Sequence, residues 1–157
     1  MNTFERFQKL NIDHGCIGIQ QLKHYEHYYC TPKDAKIIGS ASVDGIHYCT
    51  IPEFGNMIFS VSPMNFGDCV HPIARNFKDL LRLLLSCVDM AALEQCYAWD
   101  EEQFNAFLID YPATEEQQSV LDAIREEFGL VGVPIRLNMR KRENPFAGRG
   151  KRPKNKA

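Results

Sequence analysis

No apolar stretch of this chain approaches the roughly 18 residues that a membrane-crossing helix needs. The longest candidate, LLRLLLSCV from Leu80 to Val88, is broken by Arg82. The opening MNTFERFQKL carries Glu5, Arg6 and Lys9 and lacks a long apolar centre, so it does not read as an export signal. A cytoplasmic location is expected. The sequence also lacks HExxH and paired CxxC, which removes the strongest zinc signatures. Glycines at 15, 18, 39, 45, 55 and 67 build neither GxGxxG nor a phosphate loop, so nucleotide binding has no motif behind it. Tryptophan occurs once, at Trp99.

Cysteine is present six times, at 16, 30, 49, 69, 87 and 96, without paired spacing or an export signal. Reduced thiols are therefore expected. Cys49, Cys87 and Cys96 stand among apolar neighbours, as buried thiols do.

The chain has 157 residues, of which 45% are hydrophobic, enough for one core without staples. Its charge is divided. Residues 140–157 hold eight basic groups against Glu143, a net +7, while residues 1–139 hold ten basic and nineteen acidic groups, a net −9. The expected organisation is a single α+β domain over 1–142 and a disordered basic tail over 143–157. The tail is rich in Pro, Gly, Asn and Lys, with Phe146 its single aromatic. It is expected to be dispensable for folding, and its cations give only weak support for nucleic-acid contact.

A short helix is expected over 2–10, with Thr3 as its cap and Phe4, Phe7 and Leu10 on one stripe. Residues 11–35 have mixed periodicity and leave their topology open. KIIGSASV, Asp44-Gly45 and IHYCTI read as a hairpin, because Asp-Gly accepts the positive φ of a type I′ turn. PEFGN is a second turn and MIFSVS a third strand, with a short strand near Cys69–His71. Beyond Pro72, placed just before a helix, the apolar residues Phe77, Leu80, Leu81, Leu84, Leu85 and Val88 recur at three- and four-residue steps. Asp89 and Asp100 cap two further helices, and Thr114 with Gln117 forms a capping box for a fourth that ends at Gly129. Strands precede helices rather than alternating with them. The pattern predicts an antiparallel meander covered by C-terminal helices.

Chemical constellations are weak. His24, His27 and Cys30 lie at three-residue steps and would share a helix face, but a packed aromatic segment explains HYEHYYC better than a metal site does. His47 and Cys49 would share a strand face, the minimum for a thiolate–imidazole pair. No catalytic residue, metal or cofactor is expected. Asp100, Glu101 and Glu102 open a helix, where carboxylates favour the dipole, and Trp99 stands beside them. As a functional group they make an acidic docking patch with an aromatic anchor. Glu53 joins them as a candidate, on the turn after the second strand.

IHYCTIPEFGNMIFSVSP (46–63) followed by VHPIARNFKDLLRLL (70–84) resembles the central block of the SUKH superfamily, which contains bacterial immunity proteins and fungal glucan-synthesis regulators. The likeness rests on the Phe54-Gly55 turn, Ile58-Phe59, the segment Val70–Asn76 and the helix from Phe77 through Leu84. It implies an α+β fold without enzymatic activity. It further implies a bacterial protein that binds and neutralises a toxin domain, often a nuclease. An acidic body suits a basic partner of that kind. A regulator or scaffold without a toxin stands as the alternative, and a small thiol- or metal-dependent enzyme as a third reading.

Overall fold

A computed structural model of the chain describes residues 1–133, 135 and 144–146. The fold is α+β. Four antiparallel strands, β1 (Lys36–Ser40), β2 (His47–Thr50), β3 (Ile58–Val61) and β4 (Val70–Ala74), lie in the order β1-β2-β3-β4. Helix α1 (Thr3–Lys9) precedes them, and α2 (Phe77–Cys87), α3 (Met90–Gln95), α4 (Glu101–Asp110) and α5 (Glu115–Phe128) follow. Among the described residues no helix is long and apolar enough to cross a membrane.

Local chemistry explains most boundaries. Asp44 and Gly45 have φ of 52° and 70°, and Ile46 N donates to Val43 O at 3.0 Å, which closes the expected turn between β1 and β2. Asp89, Asp100 and Thr114 each accept a first-turn backbone N–H of the helix they open. At α1 the cap is Asn2, not Thr3. Asn2 accepts from Glu5 N while the Glu5 carboxylate accepts from Asn2 N, a reciprocal box that Thr3 cannot make one residue later.

One expectation is corrected, and one open segment is defined. Pro72 lies inside β4 rather than at the approach to α2, whose cap is Asn76. β4 is an edge strand, so the absent N–H costs no ladder bond on its free side. Residues 24–30 form no helix, because the segment leaves an isolated bridge between Gln20 and Ser40 and wraps the sheet as loop. Close approach fixes that bridge: a Cβ on Gly39 would stand 2.4 Å from Ile19 Cγ1.

The sheet is covered on both faces. On one, Ile38, Tyr48, Ile58 and Ile73 meet the leucines of α2, with Phe7 of α1, Met90 and Leu93 of α3 and Ile124 of α5. α2 is the centre of this layer, and both Phe4 and Phe7 pack edge-on against Phe77, at 5.0 and 5.1 Å between ring centroids. The other face buries Cys49, Ile51, Phe59, Val61, Cys69 and Val70 under Cys30, Ala35, Phe54 and Phe146.

Phe146 belongs to the segment expected to be a disordered tail. Most of that segment lies outside the described residues, and 144–146 touch the sheet. Asn144 Nδ2 donates to Val70 O at 3.0 Å, and the Phe146 ring stands 5.5 Å from Phe54 and 5.4 Å from Phe59. The one aromatic of the tail finds apolar area on the outer sheet face, which composition alone does not reveal.

Candidate functional site

α4 is joined to the body by little. Of its ten residues only Phe104 is buried. The segment 99–111, WDEEQFNAFLIDY, contains Asp100, Glu101, Glu102 and Asp110 and no basic residue. None of these carboxylates is in an ion pair among the described residues. Asp100 is engaged as the cap, accepting from Gln103 N at 2.8 Å while Gln103 Oε1 accepts from Asp100 N. Glu101 and Glu102 point into solvent from the first turn.

Beside the acids runs a line of rings. Trp99 is half-buried and packs 4.8 Å from Phe107, and Phe107 packs 4.8 Å from Tyr111 one turn further on. Tyr111 is 65% exposed and Ile109 77%. A helix stabilised mainly by its own packing would hide such residues. Acids and partly exposed rings thus stand on one short helix, the composition of an interface core with a charged rim.

Glu53 is elsewhere. It lies exposed on the 3-10 turn after β2, at the end of the sheet where β1 begins and β4 finishes. Trp99 follows Tyr97, whose hydroxyl accepts from the Asn65 amide in the β3–β4 loop at the opposite end. Of the five residues singled out in sequence, the fold thus brings together Trp99, Asp100, Glu101 and Glu102, and leaves Glu53 apart. Sequence reading also missed Ile109 and Tyr111, whose exposure depends on α4 standing off the core. A stacked pair on the loops, Tyr29 and Phe66 at 6.0 Å, was missed for the same reason.

Both His47 nitrogens are engaged, Nδ1 with Gly45 O at 2.8 Å and Nε2 with Thr31 Oγ1 at 3.0 Å, and its ring stacks on Tyr28. His47 therefore makes no hydrogen bond to Cys49, whose thiol burial pushes up to about 12. Burial likewise raises Cys30 to about 12 and, with help from the Asp13 charge, Cys16 to about 11. Such thiols resist ionisation and are poor nucleophiles. His24, His27 and Cys30 do not converge. Among the described residues the ligand atoms that do come together are those of Asp13, Cys16 and Glu116, within 4.8 Å, on an exposed surface.

A buried polar group lies between β3, β4 and α3. Ser60 and His71 are cross-strand partners, and Ser60 Oγ and His71 Nδ1 have no hydrogen-bond partner among the described residues. His71 Nε2 is 3.0 Å from Asp68 Oδ1, and the imidazole stacks on Tyr97 with centroids 3.6 Å apart. Burial lowers the His71 pKa against the opposing pull of Asp68. The serine is fully buried, so no substrate reaches it.

No family model matches the chain, and no solved structure does. The chain is similar over a short stretch to GTPase Der of Brucella anthropi, 51% identical over 35 residues, which is 22% of this chain and 7% of the GTPase. The corresponding protein of Brucella ovis is 53% identical over 34 residues, with the same shares. The chain thus spans about 7% of the length of these curated relatives, a local similarity.

Proposed function

We propose that this chain is a non-enzymatic protein-binding module that docks a basic partner through the acidic, aromatic flank of α4. The observation that carries the reading is the segment 99–111 itself: four carboxylates, no base, one buried side chain and a row of rings that runs from half-buried Trp99 and Phe107 to exposed Tyr111. The acids supply long-range attraction, and Trp99 with Phe107 and Tyr111 supplies apolar area that a partner can cover. High thiol pKa values and the enclosed histidines support a role without covalent catalysis.

The partner class comes from the resemblance of residues 46–84 to the SUKH superfamily. On that reading the chain is a bacterial, cytoplasmic immunity protein, and the partner is a basic toxin domain such as a nuclease. The test takes a basic toxin domain encoded beside this gene, purified as a catalytically dead variant, and a neighbourhood that encodes none counts against the reading. A stable 1:1 complex is expected. Trp99→Ala should weaken it about tenfold or more, through faster dissociation, with the far-UV spectrum unchanged. No complex, or unaltered dissociation of the folded variant, would move a regulatory scaffold role ahead.

A further inference from the structure

At the end of the sheet remote from the Asn65–Tyr97 contact, a cleft of about 500 Å³ opens between the starts of α1 and α2 and the neighbouring ends of β1, β2 and β3. Lys36, Lys78 and Arg82 line it, and no carboxylate does. None of the three cations is in an ion pair among the described residues. Asp79, next in sequence to Lys78, accepts from Arg75 N at 3.0 Å, and Asp34, two residues before Lys36, is in no ion pair among the described residues. Three positive charges thus line one concavity that no carboxylate lines among the described residues, on a body whose net charge is −9 over residues 1–139. Like charges gathered in this way repel, and a bound anion relieves that repulsion.

The cleft also has an apolar floor. Ile38, Ile58 and Phe77 are buried beneath it, and the half-exposed Phe4 ring packs edge-on to Phe77. The Lys36 ammonium stands 5.9 Å from the centre of the Phe4 ring, so cation and aromatic surface adjoin. Asn2 and Asn76 each spend their side-chain oxygen on a helix cap, through Glu5 N and Asp79 N, which leaves their amide N–H groups as donors at the rim. A volume of this size is within the usual range for small-molecule sites, and the mix of apolar floor and a few polar groups is typical of them.

We infer that this cleft binds a small phosphate ester with an aromatic or otherwise planar apolar body. The charge count favours a dianion over a single carboxylate. Arg82 offers a planar fork of donors, and the two lysines offer point charges. The floor takes the apolar body. The site is separate from the α4 flank and calls for a ligand of the opposite charge, so it stands or falls independently of the basic-partner reading.

Phenyl phosphate is the minimal probe, titrated into the full chain and followed by backbone amide shifts. Saturable binding in the millimolar range or tighter is expected, with the shifts centred on Phe4, Lys36 and Phe77. Inorganic phosphate, which lacks the ring, and benzoate, which lacks the second charge, should each bind more weakly. The double substitution Lys78→Gln, Arg82→Gln removes two cations that hold no ion pair and should weaken phenyl phosphate about tenfold or more. Should that variant fail to fold, Lys36→Gln alone should weaken it by a smaller factor. Absence of saturation would overturn the inference, as would equal binding of benzoate, binding indifferent to the substitutions, or saturation only by an acidic peptide.

Discussion

His71 faces Ser60 across the β3–β4 pair, stacked on Tyr97 and held at 3.0 Å by Asp68. Its pKa lies below the ordinary value of 6.5, chiefly through burial. An imidazole that resists protonation in the fold takes up fewer protons than the same group in the unfolded chain. Stability therefore rises with pH up to the unfolded pKa and is lost as pH falls below it. His47, lowered by the same cause, adds in the same direction. The prediction is that urea midpoints fall between roughly pH 7 and pH 5, and that His71→Gln makes the fall shallower. Parallel pH profiles for the two proteins would show that His71 protonates as readily in the fold as outside it.

Among the elements, the segment 144–146 makes a claim open to direct measurement. Phe146 shares the outer sheet face with Phe54 and Phe59, and Asn144 is bonded to β4. The Phe146 ring is only partly covered, so Phe146→Ala should cost about 1–2 kcal/mol rather than the 3–5 of a fully buried ring. An unchanged denaturation midpoint would show that this contact contributes nothing in solution. Elements governed by neighbouring residues were legible in sequence: the Asp44-Gly45 turn, the caps at Asp89, Asp100 and Thr114, and the apolar stripe of α2. Each depends on interactions within a few positions. What was not legible depends on distance. Pro72 is tolerated because β4 is at an edge, and Phe146 is placed because Phe54 and Phe59 present a surface. Glu53 is separated from Trp99 because consecutive strand connections fall at opposite ends of the sheet. Lys36 and Arg82 share a cleft only through the packing of α2 against the sheet. No local pattern encodes any of these.

The whole molecule carries two surfaces of opposite demand. One end of the sheet presents cations in the cleft that form no ion pair among the described residues, and α4 presents its acids elsewhere. The acidic body gives a field that extends about 8 Å at physiological salt. Charges on an interface rim act mainly on encounter, while covered anchors govern dissociation. Glu101 and Glu102, exposed and outside any ion pair among the described residues, should steer a basic partner without holding it. The decisive measurement is the association rate with the proposed partner, a basic toxin domain, across a salt series, for the native chain and for Glu101→Lys, Glu102→Lys. The account predicts that the native rate falls steeply with salt, and that the variant associates more slowly at low salt with a flatter dependence. Identical rates and salt slopes would contradict it and remove the α4 flank from the interface.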